Sequence, residues 1–529
     1  MRLTGPVPGS VAGVIHQTCP ATRFASEFLR TRGTIMKTIL ATLLLASSLL
    51  TGAAFAKADI SIGMQQEPTS LDPTADATAS IETMMTGNVY EQLTAVQEDG
   101  SVAPSLAREW TISDDGLTYV FKLRDGVKFH DGSPLTAETV KFSFDRAMAK
   151  DSANPSKGIF EPIESVTVVD PATVEMKLKR KDAFFLFNLA SGKASIMSPA
   201  AVGTNADKPI GSGPYRFASW TRGDRLTLEK NADHRDAAAV QIERVTFRFM
   251  ADPAAATAAL MADEIDAFPG FPAPELLPQF ESDPRFSVNV GTTEGEVILA
   301  FNNSRAPFTD IRVRRALSHA IDRKEIIDGA MYGQATPIGS FFPPHHRAYV
   351  DLTATYPTDV EKAKALLAEA GLAQGTSLSL RVPPFPYATR SAEIIQSQFA
   401  KAGVAVAIEN VEWGFWLDEV YKKRNYDMTI VAHTAPNDLG NFANPPTYFY
   451  GYDNADYRKL WDAIRTETDT EKRDELSREA QRFLATEAVH GFLFQLPALN
   501  IVRKELTGFR LSSPVQAQPL SVLRWQASN

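Results

Sequence analysis

Cysteine is almost missing: of 529 residues, only Cys19 carries a thiol. That excludes a disulfide scaffold, a C-x-x-C redox or zinc motif and, past that position, a cysteine nucleophile. The G-x-S-x-G elbow of hydrolases and the H-E-x-x-H helix of zinc proteases are missing too. Apolar runs are short. The clearest, residues 39–50 (ILATLLLASSLL), falls below the roughly 20 apolar residues that span a bilayer. Low-complexity tracts and short repeats are also lacking.

The front of the chain reads as an address. Met36-Lys37 opens a short basic segment, residues 39–50 are apolar, and Ala54-Phe55-Ala56 is an A-x-A cleavage site. That order is a secretory signal peptide over 36–56. Residues 1–35 precede a segment that normally begins a protein and read as an over-extended gene start. Cleavage after Ala56 leaves 473 of the 529 residues, with no cysteine to carry a lipid anchor or a disulfide. Stability must then come from core burial, which this length permits in two or three domains. Residues 1–56 hold five of the 54 basic residues and one of the 63 acids, leaving 49 against 62 and a net charge of −13. An acidic surface argues against nucleic acid and anionic membranes as partners.

Strand and helix patterns alternate along the exported part. Residues 59–64 (DISIGM) have strand periodicity, followed by a turn-rich loop over 66–76 and a predicted helix over about 80–93. Residues 119–123 and 126–129 read as strands, and 166–169 with 173–178 as a hairpin, so that about 97–205 looks like an antiparallel insert. Val313, Ala316, Leu317, Ala320 and Ile321 share one helix face. Asp322 with Glu325, and Thr358 with Glu361, are capping boxes, and Gly371 and Gly403 stand where helices end. From Thr376 the order is strand, helix, strand, helix, strand, which implies a parallel sheet. Ligands bind outside the carboxyl ends of such strands. The loops expected there are 66–76, 383–389 and 433–441.

Four motifs occur in order: Glu67-Pro68-Thr69-Ser70-Leu71-Asp72-Pro73; the run 104–146 (PSLAREWTISDDGLTYVFKLRDGVKFHDGSPLTAETVKFSFDR); Gly211-Ser212-Gly213-Pro214-Tyr215; and 301–327 (FNNSRAPFTDIRVRRALSHAIDRKEII). Together they resemble the large solute-binding proteins of the dipeptide, oligopeptide and nickel importer family, family 5, over essentially all of 59–526. The resemblance implies an α/β fold, a bilobal periplasmic-binding-protein-like clamp with an antiparallel-rich subdomain in lobe I. Lobe I would span 59–297, lobe II 303–490, and 496–526 would return to lobe I, with crossings near 299–302 and 492–496. It implies a soluble periplasmic monomer that captures a small peptide-like solute and delivers it to the transmembrane subunits of an ABC permease. No cofactor, catalytic residue or metal is implied.

The resemblance also marks departures. Peptide-binding members carry a Trp-x-x-Asp turn whose Asp pairs with the ligand's α-amino group; here that turn is His433-Thr434-Ala435-Pro436, with Asp438 two residues beyond. Dipeptide binders place an Arg for the α-carboxylate in the loop after the strand at 378–382. This chain has Pro383-Pro384-Phe385-Pro386-Tyr387 there, and Arg390 follows. Opines, oligosaccharides and metal chelates therefore stand beside peptides as ligands, and a secreted hydrolase is the rival class.

The expected contacts are Asp438, His433, Asn437, Trp413, Trp416, Tyr387, Phe385 and Thr78. Asp438 reads either as an acceptor for an amine or sugar hydroxyl or as an Asx-turn residue. Trp413, Phe415 and Trp416 read as stacking surfaces or, for at least two of them, as core. His345 and His346 read as surface residues, and the cluster Arg312, Arg314 and Arg315 as a solvated helix face or a lobe contact rather than an anion site. Pro214 removes an N–H that a phosphate cradle at Gly211–Gly213 needs, so that motif reads as structural.

Overall fold

The alternation in DISIGM buries Ile60 and Ile62 and makes Asp59–Met64 a strand. In the computed structural model, which describes residues 57–526 apart from Asp99, Ala435, Asn437, residues 511–513 and Gln516, this strand lies inside a seven-stranded sheet. The order is Phe286–Gly291, Ala498–Arg503, Ala267–Phe268, Asp59–Met64, Arg244–Phe249, Arg225–Lys230 and Tyr215–Thr221. The upstream extension, the signal segment, Cys19 and Asn437 lie outside the described residues.

A second sheet follows the order Thr336–Pro337, His490–Gln495, Glu296–Phe301, Met428–His433, Thr376–Val382 and Val404–Asn410. Glu296–Phe301 (EVILAF) and His490–Gln495 are buried at every residue, as strands covered on both faces must be. The helices Ile311–Ala320 and Pro386–Lys401 cover one face, with Val313, Leu317, Ile395 and Phe399 in one core. Aromatic residues cover the other.

The chain passes from the first sheet to the second between Gly291 and Glu296, and returns between Gln495 and Ala498. The two crossings are tied together. Thr293 Oγ1 donates to the Leu496 carbonyl at 2.5 Å, Gln495 Nε2 to the Thr293 carbonyl at 2.9 Å, and Leu496 N–H to the Gly295 carbonyl at 2.7 Å. After the return, Leu520 and Leu523 are buried in the core of the first sheet. The third sheet, Ala107–Ile112, Thr118–Leu123, Thr173–Leu178 and Ile163–Asp170, is wholly antiparallel. The molecule is a two-sheet α/β protein of the periplasmic-binding type with this antiparallel addition.

Several local expectations change. The helix after the first loop stops at Met85, because Thr86 turns extended and Gly87 takes a positive φ of 71°. Residues 126–129 form only an isolated bridge from Lys128 to Pro134. The second sheet is mixed, since Glu296–Phe301 pairs antiparallel with both neighbours. The cap of Val360–Glu369 is Asp359, which accepts from Lys362 N–H, while Thr358 donates to the Ile321 carbonyl. Leu299 to Asn302, expected at the first crossing, are the end of a buried strand and the residue after it.

Arg314 is buried rather than solvated. Its guanidinium donates to the carbonyls of Phe308, Glu487 and Ala488, and Arg315 reaches the Thr486 carbonyl, so both satisfy the end of the helix Thr470–Thr486. Gly211 and Gly213 are structural by contact. A Cβ would meet the Val89 carbonyl oxygen at 1.9 Å from the first and the Asn88 carbonyl oxygen at 2.2 Å from the second.

Candidate functional site

The strand Met428–His433 runs parallel to Thr376–Val382, so the loops after Val382 and His433 leave the sheet at the same end. Pleating divides the neighbouring strand Glu296–Phe301. Val297, Leu299 and Phe301 enter the helical core, and Ile298 and Ala300 enter the aromatic core with Trp416, Phe449 and Tyr450. Glu296 shares the parity of Ile298 and Ala300. It stands directly across from His433 on one side and from Gln495 on the other.

His433 lies flat on Phe449, with centroids 5.7 Å apart and planes at 16°. Its Nε2 is 2.8 Å from the Tyr450 hydroxyl and its Nδ1 is 3.4 Å from Asp438 Oδ2. Burial pushes the Tyr450 phenol well above its usual range, with nearby Tyr448 and the Asp438 carboxylate adding to the rise. The phenol therefore keeps its proton, and its hydroxyl and the His433 Nε2 share a hydrogen bond while Nδ1 faces Asp438. At 3.4 Å the Asp438 contact is electrostatic rather than a tight hydrogen bond.

Rings join the expected residues into one wall. Phe385 stacks on Tyr387 and meets Trp413 edge-on; Trp413 stacks on Trp416 at 4.9 Å; Trp416 meets Phe449, which carries His433. Trp416 is buried and donates its indole N–H to Thr429 Oγ1, so it belongs to the core. Trp413 is only partly buried, and Phe415 is exposed beside Arg381. The Tyr387 hydroxyl accepts the Ala432 N–H at 3.0 Å, which anchors the 383–387 loop beside His433.

Thr78 stands apart from this group. It caps the helix Ala79–Met85, its N–H and hydroxyl both donate to Asp76 Oδ1, and its oxygen meets Thr69. Arg390 is already engaged: it forks onto Glu275.

The histidines are not a surface set. His319 and His490 are buried, His346 has its pKa pushed down to about 4 by burial, and only His345 is largely open. His345 Nε2 meets Glu294 Oε1 at 2.9 Å. Among the described residues no three His, Cys, Asp or Glu side chains are grouped to hold a metal ion. A shallow depression lined by Arg323, Tyr356 and Thr358 contains none of the expected contacts.

Sequence reasoning missed Glu294, Glu296 and Tyr450. A signal was present: two acids, Glu294 and Glu296, lead directly into the apolar run Val297–Phe301 (VILAF), where a charge must be either paired or neutral.

Comparison with known proteins bears on the family and the fold. The family model for bacterial extracellular solute-binding proteins, family 5 Middle, matches residues 101–457. The chain is 32% identical over 455 residues to the dipeptide-binding protein of Escherichia coli (strain K12), covering 77% of this chain and 83% of that one. It is 29% identical over 488 residues to the di/tripeptide-binding protein 1 of Pseudomonas aeruginosa (strain UCBPP-PA14), covering 84% and 90%. Among solved structures, the binding protein AgaA from A. tumefacien R10 in complex with agropinic acid superposes with a TM-score of 0.81 at 25% identity, covering 89% of this chain and 99% of that one.

Proposed function

The chain belongs to family 5 of the bacterial extracellular solute-binding proteins, and on that footing we propose that it captures a small peptide-like solute at the His433–Asp438 end of the second sheet and hands it to an ABC permease. It is a binding protein, not an enzyme. The observation that carries the site is the chain of ring contacts from Phe385 through Trp413 to His433 and Asp438, in which the buried Trp416 and Phe449 are the support. The half-buried rings Phe385, Tyr387, Trp413 and His433 offer contact area at little rotamer cost, and the Asp438 carboxylate receives an ammonium.

The double crossing supplies the mechanics. A solute that touches both sheets favours the closed arrangement, because contacts to both exist only there. The crossings at 292–295 and 496–497 are hydrogen-bonded to each other, so they bend as one unit. In this reading the exported chain acts as a periplasmic monomer, 36–56 is its signal peptide, and no nucleic acid is involved. No helix among the described residues is long and apolar enough to cross a membrane.

A second reading, an opine-type amino-acid conjugate, has one observation in its favour: the structurally similar binding protein AgaA, 25% identical, is in complex with agropinic acid. Under either reading Arg390 is paired with Glu275, so a solute carboxylate must separate that pair or find another donor.

Native mass spectrometry of the purified exported chain and titration calorimetry with di- and tripeptides test both readings. Saturable binding with the peptide recovered intact is the expected result. Recovery of an opine instead replaces the first reading with the second, and a peptide hydrolysed on incubation overturns the binding role.

A further inference from the structure

Glu296 is 3% exposed, and its Oε2 has no hydrogen-bond partner. Among the described residues Glu296, Asp438 and Glu294 have no Lys or Arg partner; Asp438 meets the His433 ring and Glu294 the His345 ring. The usual answer to a buried carboxyl group is a paired cation or a proton. Elsewhere the same chain supplies the cation: Glu91, equally buried, is met by Arg235 and His234. At Glu296 the protein supplies none, and it places the residue directly across from His433, whose ring leads to Asp438.

We propose that Glu296 forms, beside the amine acceptor Asp438, a seat for a second positively charged group of the solute, an ammonium or guanidinium, and that Glu296 is the residue that makes this protein prefer solutes carrying such a group. The inference rests on the site reading above and deepens it. A single carboxylate at Asp438 suffices for one amine; a second, orphaned carboxyl at the strand start is surplus unless another donor arrives.

The proton balance follows from the surroundings. Burial drives the Glu296 carboxyl well up, and the negative charges of Asp438 and Glu294 add to it. The other titratable neighbours of this group are His433, His345, Tyr448 and Tyr450. With the seat empty, Glu296 holds its proton. When a cation enters, the O–H bond breaks, the proton leaves to buffer and the carboxylate pairs with the incoming N–H groups. Binding of a cationic solute therefore releases up to about one proton, and strengthens as pH rises toward the carboxyl's own titration.

The position also matters mechanically. Glu294 and Gly295 end the first crossing and Glu296 begins the strand that follows it, and a Cβ on Gly295 would meet Thr293 Oγ1 at 2.8 Å and the Leu496 side chain at 3.0 Å. A charge drawn to Glu296 thus acts on the segment about which the sheets close.

The test is calorimetry on the exported chain with Ala-Ala, Ala-Lys, Ala-Glu, agmatine and putrescine, each in phosphate and in Tris. Ala-Lys binding at least about tenfold more tightly than Ala-Ala, with a buffer-dependent enthalpy that reports proton release, is the expected outcome. Glu296→Gln should cut that preference to about threefold or less while Ala-Ala binding persists, and the proton release should vanish. The buffer comparison on the unaltered chain stands even if the variant does not fold. Ala-Ala binding as tightly as Ala-Lys overturns the cation seat and leaves the peptide reading intact. Agmatine or putrescine binding without any peptide binding keeps the seat and removes the peptide reading. No binding by any of the cations overturns the seat.

Discussion

Arg390 and Glu275 form a forked ion pair, Nη1 to Oε2 at 3.0 Å and Nη2 to Oε1 at 2.5 Å, that joins the two sheets' structures. Arg390 belongs to the helix Pro386–Lys401 on the second sheet, and Glu275 to the turn Pro274–Leu276, beside Leu277 and Phe280 in a core of the first. The pair is one tie between the halves besides the crossings; another is the Ala183 N–H donated to the Arg465 carbonyl at 2.7 Å with Phe184 stacked on Trp461 at 5.8 Å.

Breaking the Arg390–Glu275 pair should let the halves separate more readily without unfolding the protein. Both side chains are about a quarter exposed, so the pair contributes at most about 1 kcal/mol. Glu275→Gln should enlarge the ligand-free radius of gyration in small-angle scattering and leave the melting temperature nearly unchanged. An unchanged radius would mean that the pair holds nothing shut.

Glu91 predicts an acid transition. Burial works to raise its pKa, but the nearby His234 ring, 3.6 Å away, and the Arg235 guanidinium bonded to both carboxylate oxygens override it and bring the value down to about 2. A carboxyl depressed in the folded state stabilises above its unfolded pKa, here near 4.5, and that stability is lost as pH falls toward 2. The loss is about 3 kcal/mol at most, at 1.4 kcal/mol per unit. Melting temperature should be flat from pH 7 to 5 and fall steeply below 4.5; Glu91→Gln should be less stable at pH 7 and lose less on acidification.

Trp413 and Trp416 are stacked on each other but should answer differently to alanine. Trp416 is buried with its N–H bonded to Thr429, so Trp416→Ala should cost about 3–5 kcal/mol in urea unfolding. Trp413 is partly open toward Phe385, so Trp413→Ala should weaken solute binding more than it weakens the fold. Equal losses of stability in the two variants would return Trp413 to the core.

Asp438→Ala should weaken binding of an amine-bearing solute several-fold or more, measured by calorimetry. Tyr450→Phe removes the hydroxyl that hydrogen-bonds His433 Nε2, should cost about 1 kcal/mol of stability, and should weaken solute binding by loosening His433. If both variants bind as the unaltered chain does, the site lies elsewhere.

Much of the framework was legible in residue order. Period-two alternation marked Asp59–Met64 and Thr173–Leu178, and the face shared by Val313, Ala316, Leu317 and Ala320 marked a buried helix. Asp322 capped its helix as its spacing predicts. These succeed because the decisive interactions are within a few positions. Thr358 failed by one residue because its hydroxyl found the Ile321 carbonyl across a tertiary contact, leaving the cap to Asp359.

The chemistry of the site was not legible in the same way. Arg314 is buried because the end of the helix Thr470–Thr486 is brought against it, and nothing in the sequence pairs Arg390 with Glu275, 115 positions away, which the fold places beside it. Glu296 is an ordinary acid in the sequence and an unpartnered one in the fold. By itself the sequence determined the strands, the helix faces and the family, because periodicity and motif order are local properties of a chain. Only the tertiary structure decided which charges are desolvated and which are paired, since both depend on neighbours that the chain brings together from far apart.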